Sequence, residues 1–325
     1  IRLANGTLNC VTDGLNGYIE SRPAIDHERI YIGTWGAMFY AIDRKTGKKV
    51  WEFDTKRGRY FSPGACWPIV LPYTDQSKKA EQVIVLSSDY FIRAFQPDNG
   101  EILWASDKAK GRESLGFSPD GKTLYFCSAQ AKEIPKDFKS VKYSLCSISF
   151  DPETRRFGHQ VDTLYSSEQA TVQITGAEHK SASFPRVSPD GKQLVFTLSE
   201  YGNFSIWHKD ADLYRIDLDS GVMHRMDEVN SDDVESYHSW SSNSRWLVFS
   251  SRRIDGLYTR PYLVHIDENG KTGKPFVLPQ EDPDFYSRFM FSYNIPEFVK
   301  GKVEAEVHTI ADTARKPGNR IRMGE

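Results

Sequence analysis

The chain has 325 residues, 13% of them aromatic, with 23 Gly and 16 Pro and no long helical-period stretch rich in Ala, Leu, Glu and Lys. That composition favours many short strands joined by turns. Lys plus Arg number 42 against 44 Asp plus Glu, a formal charge of −2, which excludes the global basic field that drives binding to nucleic acid or anionic membranes.

The first residues, IRLANGTLNC, lack the charged and apolar regions of a signal peptide, and without an initial Met they read as a mature or trimmed form. No apolar run approaches the roughly 20 residues of a membrane-spanning helix. From Ile30 the segment IYIGTWGAMFYAIDRKTGKKVWEFD is echoed by VIVLSSDYFIRAFQPDNGEILWASD from Val83, with Gly47 and Gly100, and Trp51 and Trp104, each 53 residues apart. Both read as strand, strand, a turn at TG or NG, and a strand ending in Trp. Further on, FSPDGKTLYFCSA at Phe117 recurs as VSPDGKQLVFTLS at Val187 and, worn, as WSSNSRWLVFSSR at Trp240. Each predicts a tight turn before an alternating strand: Pro presets φ, Asp bonds the backbone ahead, and Gly121 or Gly191 takes the positive φ. Asn243 and Ser244 replace Asp and Gly in the third copy. ADLYRIDLDSGVMHRM from Ala211 and PYLVHIDENGKTGKPFVL from Pro261 read as hairpins with Gly at the turn.

These repeats mark five units near residues 22–58, 62–108, 112–165, 181–228 and 237–280. Four-stranded units of about 40 to 50 residues are the blades of a β-propeller. The expected fold is therefore all-β, a single propeller over residues 1–300. Six blades are expected, the sixth built from residues 1–21 and 281–325, with five and seven as alternatives. Residues 281–300 read alternatively as a short helix or irregular cap, and 301–325 as a closing strand, a frayed end or a partner-binding extension. Cys10, Cys66, Cys127 and Cys146 show no metal-ligand spacing. Cys127 and Cys146 lie in strand-like runs and read as buried free thiols.

The SPDG units at 117–126 and 187–196 resemble the repeats of TolB-like propellers. YAIDRKTGKKVWEF resembles the repeats of quinoprotein-type propellers, shared with the BamB-like assembly factors of the bacterial outer membrane. The run from PKDFKSVKYSLCSISFDP to FVLPQEDPDFYSRFMFSYNIPEF, within 112–300, is similar to TolB-like envelope proteins of Gram-negative bacteria. The resemblance implies a periplasmic or cell-surface location and binding rather than turnover. Two Trp-ended repeats do not make the tryptophan and metal set of a quinoprotein dehydrogenase, and no G-x-S-x-G elbow is present for a fused peptidase.

The segment ESYHSWSSNSRWLVFSSRRIDGLYTRPY, residues 235–262, is dense in aromatics and Arg. Tyr237 and His238 precede the worn turn, where a propeller's inner strand meets the channel mouth, whereas Trp240 reads as packing between blades. Arg252, Arg253, Tyr258 and Arg260 form a loop suited to carboxylates, phosphates or acidic sugars; equally, Arg252 or Arg253 pairs with Asp232, Asp233 and Glu235 as salt bridges between blades. His208, Asp210 and Asp212 alternate along a predicted strand entry as a candidate divalent-metal set, against a role in capping a sheet rim. Gly202, Asn203 and Phe204 read as an ordinary turn. Apart from that metal no cofactor is expected. The expected function is a non-catalytic envelope propeller that binds a protein partner or a glycan at its channel mouth or rim. The alternative is a carbohydrate-active enzyme, hydrolase or lyase, using His208, His238, Arg252 and Arg253 at the channel mouth.

Overall fold

The computed structural model describes residues 14–19, 22–56, 67–71, 79–86, 91–106, 115–129, 136, 138–169, 174, 176–202, 204–293, 295–299 and 301. Cys10, Cys66, Asn203 and the tail 302–325 lie outside the described residues. So does most of the stretch that would supply a sixth blade: of residues 1–21, only 14–19 are described. The chain divides into two compact units, Ile1–Asp107 with Val299–Glu325, and Lys108–Phe298.

In the first unit β1 (Ala24–Ile25), β2 (Arg29–Gly33), β3 (Met38–Asp43) and β4 (Lys49–Asp54) pair antiparallel in that order, as do β5 (Ile69–Leu71), β6 (Gln82–Leu86), β7 (Ile92–Phe95) and β8 (Ile102–Ser106). The central strands β3 and β7 are mostly buried, with Arg93 of β7 half-buried, whereas β4 and β8 are half-buried or exposed apart from Trp51. Tyr31, Phe39, Trp51, Val83 and Phe95 share one core. The repeated Trp and Gly have a shared cause. The Trp51 ring stacks on Phe95 and its Nε1 donates to Pro97 O at 2.8 Å. Gly100, with φ of +74°, lets the β7–β8 turn approach so closely that a Cβ there would lie 2.6 Å from the Trp51 ring. The buried Asp26 carboxylate accepts from the Glu28, Arg29 and Ala80 N–H groups and the Tyr31 hydroxyl, tying the start of β2 to the chain entering β6.

In the second unit three sheets follow: β9 (Gly116–Phe117), β10 (Thr123–Ser128), β11 (Ser144–Asp151), β12 (Arg156–Tyr165); β13 (Ser181–Val187), β14 (Gln193–Ser199), β15 (Asp212–Asp217), β16 (Met223–Arg225); and β17 (Glu235–Trp240), β18 (Trp246–Ser251), β19 (Arg260–His265), β20 (Phe276–Val277). Among the described residues the five four-stranded sheets coincide with the five repeat units read from the sequence. The described residues within 281–299 hold a single turn of helix, α1 (Phe285–Arg288), and no strand.

The three worn and unworn turns share one mechanism. Ser118, Ser188 and Ser241 each accept the N–H that opens the next strand, and each donates its hydroxyl to Asp120, Asp190 or Asn243. Gly121 and Gly191 hold φ near +71° and +76°, and Ser244 takes the same region at +59°. Ser244 is kept there because its hydroxyl accepts the Asp190 N–H at 2.9 Å, joining two neighbouring turns. Two cores separate the three sheets, one around Tyr125, Leu145, Phe196 and Tyr214 and one around Val195, Leu213, Leu247, Phe249 and Tyr262. Cys127 and Cys146 are buried and free, as expected.

Candidate functional site

Antiparallel order places the β14–β15 connection (200–211), the β18–β19 connection (252–259) and the segment entering β17 at one end of the second unit's sheets, with the SPDG-type turns at the other. Contacts between neighbouring sheets agree: Arg252 meets Trp207 at the first end and Asp190 meets Ser244 at the second. Every candidate site residue lies on or near the first end.

Tyr237 and His238 form a bulge in β17, where pairing with β18 slips between Ser236 and Ser239. An equivalent bulge, Phe184 and Pro185, interrupts β13. Tyr237 and Phe184 both adopt φ just above +50°, unusual for a bulky residue, and their half-buried rings meet edge to face at 5.1 Å. The bulge turns His238 inward rather than toward solvent. Its side chain is fully buried and Nε2 lies 3.0 Å from Val195 O. A carbonyl only accepts, so Nε2 carries the proton. Burial pushes the imidazole pKa down to about 3, with the Val195 bond opposing, so it is neutral at ordinary pH. It binds β17 to β14 and offers nothing to a ligand from the solvent side. Trp240 packs against the inter-sheet core and donates to Arg186 O at 3.1 Å.

The arginines are likewise turned to internal use. Arg252 pairs with Asp233 at 3.4 Å, donates to Trp207 O and stacks on the Trp207 ring. Arg253 pairs with the fully buried Glu235 at 2.8 Å, donates to Val229 O at 2.6 Å and lies over Tyr262. Burial pushes the Glu235 carboxyl up, opposed by hydrogen bonds from Ser231 and Ser251 and by the Arg253 charge. Arg260, fully buried, donates to the carbonyls of Phe291, Phe289 and Tyr286 at 2.5, 2.6 and 3.4 Å, lies 3.5 Å from Asp255, and is surrounded by the rings of Tyr258, Tyr286 and Phe289. The pairing with the acidic run at 232–235 is therefore the geometry adopted by Arg252 and Arg253. It runs within the β17–β20 sheet and its entry segment, while Arg260 clamps residues 285–293 and leaves Tyr258 half-buried beside it.

His208, Asp210 and Asp212 do not alternate on a strand. A tight turn, closed by the Ala211 N–H bonding His208 O, separates them. Asp212 is held by Arg225 at 2.8 Å, Asp210 pairs with Lys180 at 3.2 Å, and the His208 ring lies tilted against Tyr201, centroids 4.1 Å apart. Among the described residues no three His, Cys, Asp or Glu side chains gather as a metal site.

This end carries a feature that pattern reading missed. Phe204, Trp207, Ile254, Leu257, Met290 and Phe291 are exposed large apolar side chains, with Trp207 at 61%, Leu257 at 65% and Met290 and Phe291 at 70%. Their segments are tied to one another at this end: Arg252 links Trp207 to the 252–259 connection, and Arg260 and Thr259 link that connection to residues 286–293. Phe204 holds φ of +53° while remaining in solvent. The signal available was compositional, since FSIW and IDGLY place large apolar residues where turns normally carry polar ones. Gly202 also departs from an ordinary turn: it is pressed on Tyr143, with a Cβ position 2.2 Å from the ring.

Comparison with known proteins bears on residues 9–131, which match the family described as outer membrane protein assembly factor BamB. A curated relative, the 1-butanol dehydrogenase (quinone) of Thauera butanivorans, is 32% identical over 98 residues, 27% of this chain and 15% of that protein. In the described part of this stretch both repeat tryptophans are engaged in packing: Trp51 as above, and Trp104 through Nε1 to Gln82 Oε1 at 3.1 Å. Among solved structures, hydrazine synthase of Kuenenia stuttgartiensis superposes with a TM-score of 0.50 at 15% identity, covering 77% of this chain and 65% of that one. The β-propeller domain of Cps50 (Swd1) from Myceliophteria thermophila gives 0.50 at 6% identity, covering 78% and 69%. The chain thus spans a small part of the dehydrogenase and just under two thirds of the hydrazine synthase chain. At these identities the likeness carries the fold, and with the five four-stranded sheets it makes this an all-β propeller whose residues 9–131 bear BamB-type repeats.

Proposed function

We propose that this chain is a non-catalytic propeller of the bacterial envelope that docks a protein partner through the apolar end of its second unit. The observation that carries the reading is the exposure of Trp207, Leu257, Met290 and Phe291, with Phe204 and Ile254, on segments brought together at one end of the sheets. Exposed contiguous apolar surface on a folded domain marks interaction sites, and Trp and Phe dominate binding energy at such sites. The family matched at residues 9–131 is named for outer-membrane protein assembly, which supports an envelope setting and a scaffold role. The inward engagement of His238, Arg252, Arg253 and Arg260 weighs against the glycan and carbohydrate-active readings built on those residues.

Affinity purification of a tagged chain from its source cells tests the reading. Wild type should retain a defined partner, and Trp207→Ser combined with Leu257→Ser should lose it while keeping the same melting temperature. Identical partner recovery by both proteins would overturn the assignment of this end.

A further inference from the structure

We infer that the partner segment seated on the apolar end is cationic, with Lys or Arg beside its apolar side chains. The inference rests on the docking reading above and names the chemistry of the occupant. It comes from the way charge is sorted at this end. The three arginines there are turned inward: their side chains are 8%, 19% and 1% exposed at Arg252, Arg253 and Arg260, and Asp233, Glu235 and backbone carbonyls hold them. The carboxylates are left outside. Glu200 follows β14, Asp232 precedes β17, and Glu281 and Asp284 precede α1; all are exposed, whereas Asp255 is paired with Arg260. Opposing them in these segments are exposed Lys209, and Arg288, which Asp282 already holds. The buried ion pairs are close to neutral and cancel at a distance, so the field over the apolar side chains is set by the outer carboxylates.

That field discriminates between occupants. Charges at a rim act mainly on encounter and on rejection of wrong partners. A segment bearing Lys or Arg beside its apolar anchors is drawn in, while an acidic segment or an anionic bilayer surface is repelled despite the exposed Trp and Phe. Exposed aromatic residues alone would equally suit a membrane interface, which normally adds basic residues around the apolar face; here the border is acidic. The left-handed conformation of Phe204 adds a second observation. Holding a bulky, half-exposed residue at φ of +53° costs of order 1 kcal/mol or more.

The test compares three probes on the intact chain: a fluorescent Leu/Lys amphipathic peptide, a Leu/Glu counterpart of equal length, and phosphatidylglycerol vesicles. The Leu/Lys peptide should bind about tenfold or more tightly than the Leu/Glu peptide at low salt, with the preference fading as salt rises. Trp207→Ser with Leu257→Ser should abolish binding. Asp232→Lys with Asp284→Lys should erase the preference while leaving the apolar side chains in place. Equal affinity for the two peptides, an unchanged preference in the charge-reversed variant, or binding to vesicles in place of peptide would overturn the inference. If partner recovery from cells depends on Trp207 and Leu257 while the peptides show no charge preference, the charge assignment alone fails. If neither depends on them, the docking reading fails as well.

Discussion

At the scale of single residues, burial decides what His238 and the arginines do. An imidazole held at a pKa of about 3 has an unfolded-state value near 6.5. The unfolded chain therefore takes up a proton that the folded chain refuses. Stability from this group is complete above pH 6.5 and is lost as pH falls toward 3, at a slope approaching about 1.4 kcal/mol per pH unit. His238→Gln keeps a donor for Val195 O and removes the titration, so urea unfolding of wild type should lose stability between pH 6.5 and 4.5 more steeply than the variant. Parallel curves would show that His238 protonates freely in the folded state. Arg260 holds residues 286–291 through three carbonyls, so Arg260→Ala should cost about 2–4 kcal/mol and speed proteolysis within 285–293. Arg260→Lys, which keeps charge but not the planar fork, should recover only part of the loss. An unchanged cleavage rate in Arg260→Ala would contradict the clamp. In sequence, the acidic run at 232–235 and the arginines at 252 and 253 were legible as partners. The inward turn of His238 was not, because it follows from a one-residue bulge in β17 that period-two reading cannot register.

At the scale of elements, repeats placed all five described sheets, because a recurring turn with its own hydrogen-bond mechanism recurs wherever the fold reuses it. Within that framework the glycines differ in kind. Gly100 and Gly121 have almost the same φ, +74° and +71°, but a Cβ at Gly100 would strike the Trp51 ring whereas none of the surroundings of Gly121 lies within 4 Å. Gly121→Ala should therefore cost about 1 kcal/mol from backbone strain alone, and Gly100→Ala about 2–4 kcal/mol from strain plus displacement of the indole. Urea titrations of the two variants separate these effects, and equal losses would argue against close Trp51 packing on the turn. The ladder also explains why β12, ten residues long and largely exposed, does not read as a docking edge. Pairing with β11 slips between Leu145 and Cys146 and between Ile148 and Phe150, and bulges of this kind blunt an edge against further strand addition. The candidate metal set failed for an element-level reason as well: the residues before Asp212 are a turn, so alternation begins later than the spacing of His208, Asp210 and Asp212 suggested.

At the scale of the whole molecule, composition and repeats identified an all-β propeller, since aromatic content, turn residues and repeat length are properties of the entire chain. The apolar end stayed hidden for the opposite reason. Its side chains come from three separate segments, around 204–207, 254–257 and 290–291, and each alone is the ordinary isolated exposure that soluble proteins tolerate. Only the return of the chain to one end of the sheets, fixed by Arg252, Thr259 and Arg260, makes them a surface. The most direct measurement of the docking claim is site-specific photocrosslinking in the source cells, with a photoreactive side chain at Leu257 and, as control, at Lys122 beside the SPDG turn at the opposite end. A discrete adduct from position 257, absent from position 122 and lost when Trp207→Ser is added, is the predicted result. Adducts of equal yield from both positions, or none from 257, would contradict the account.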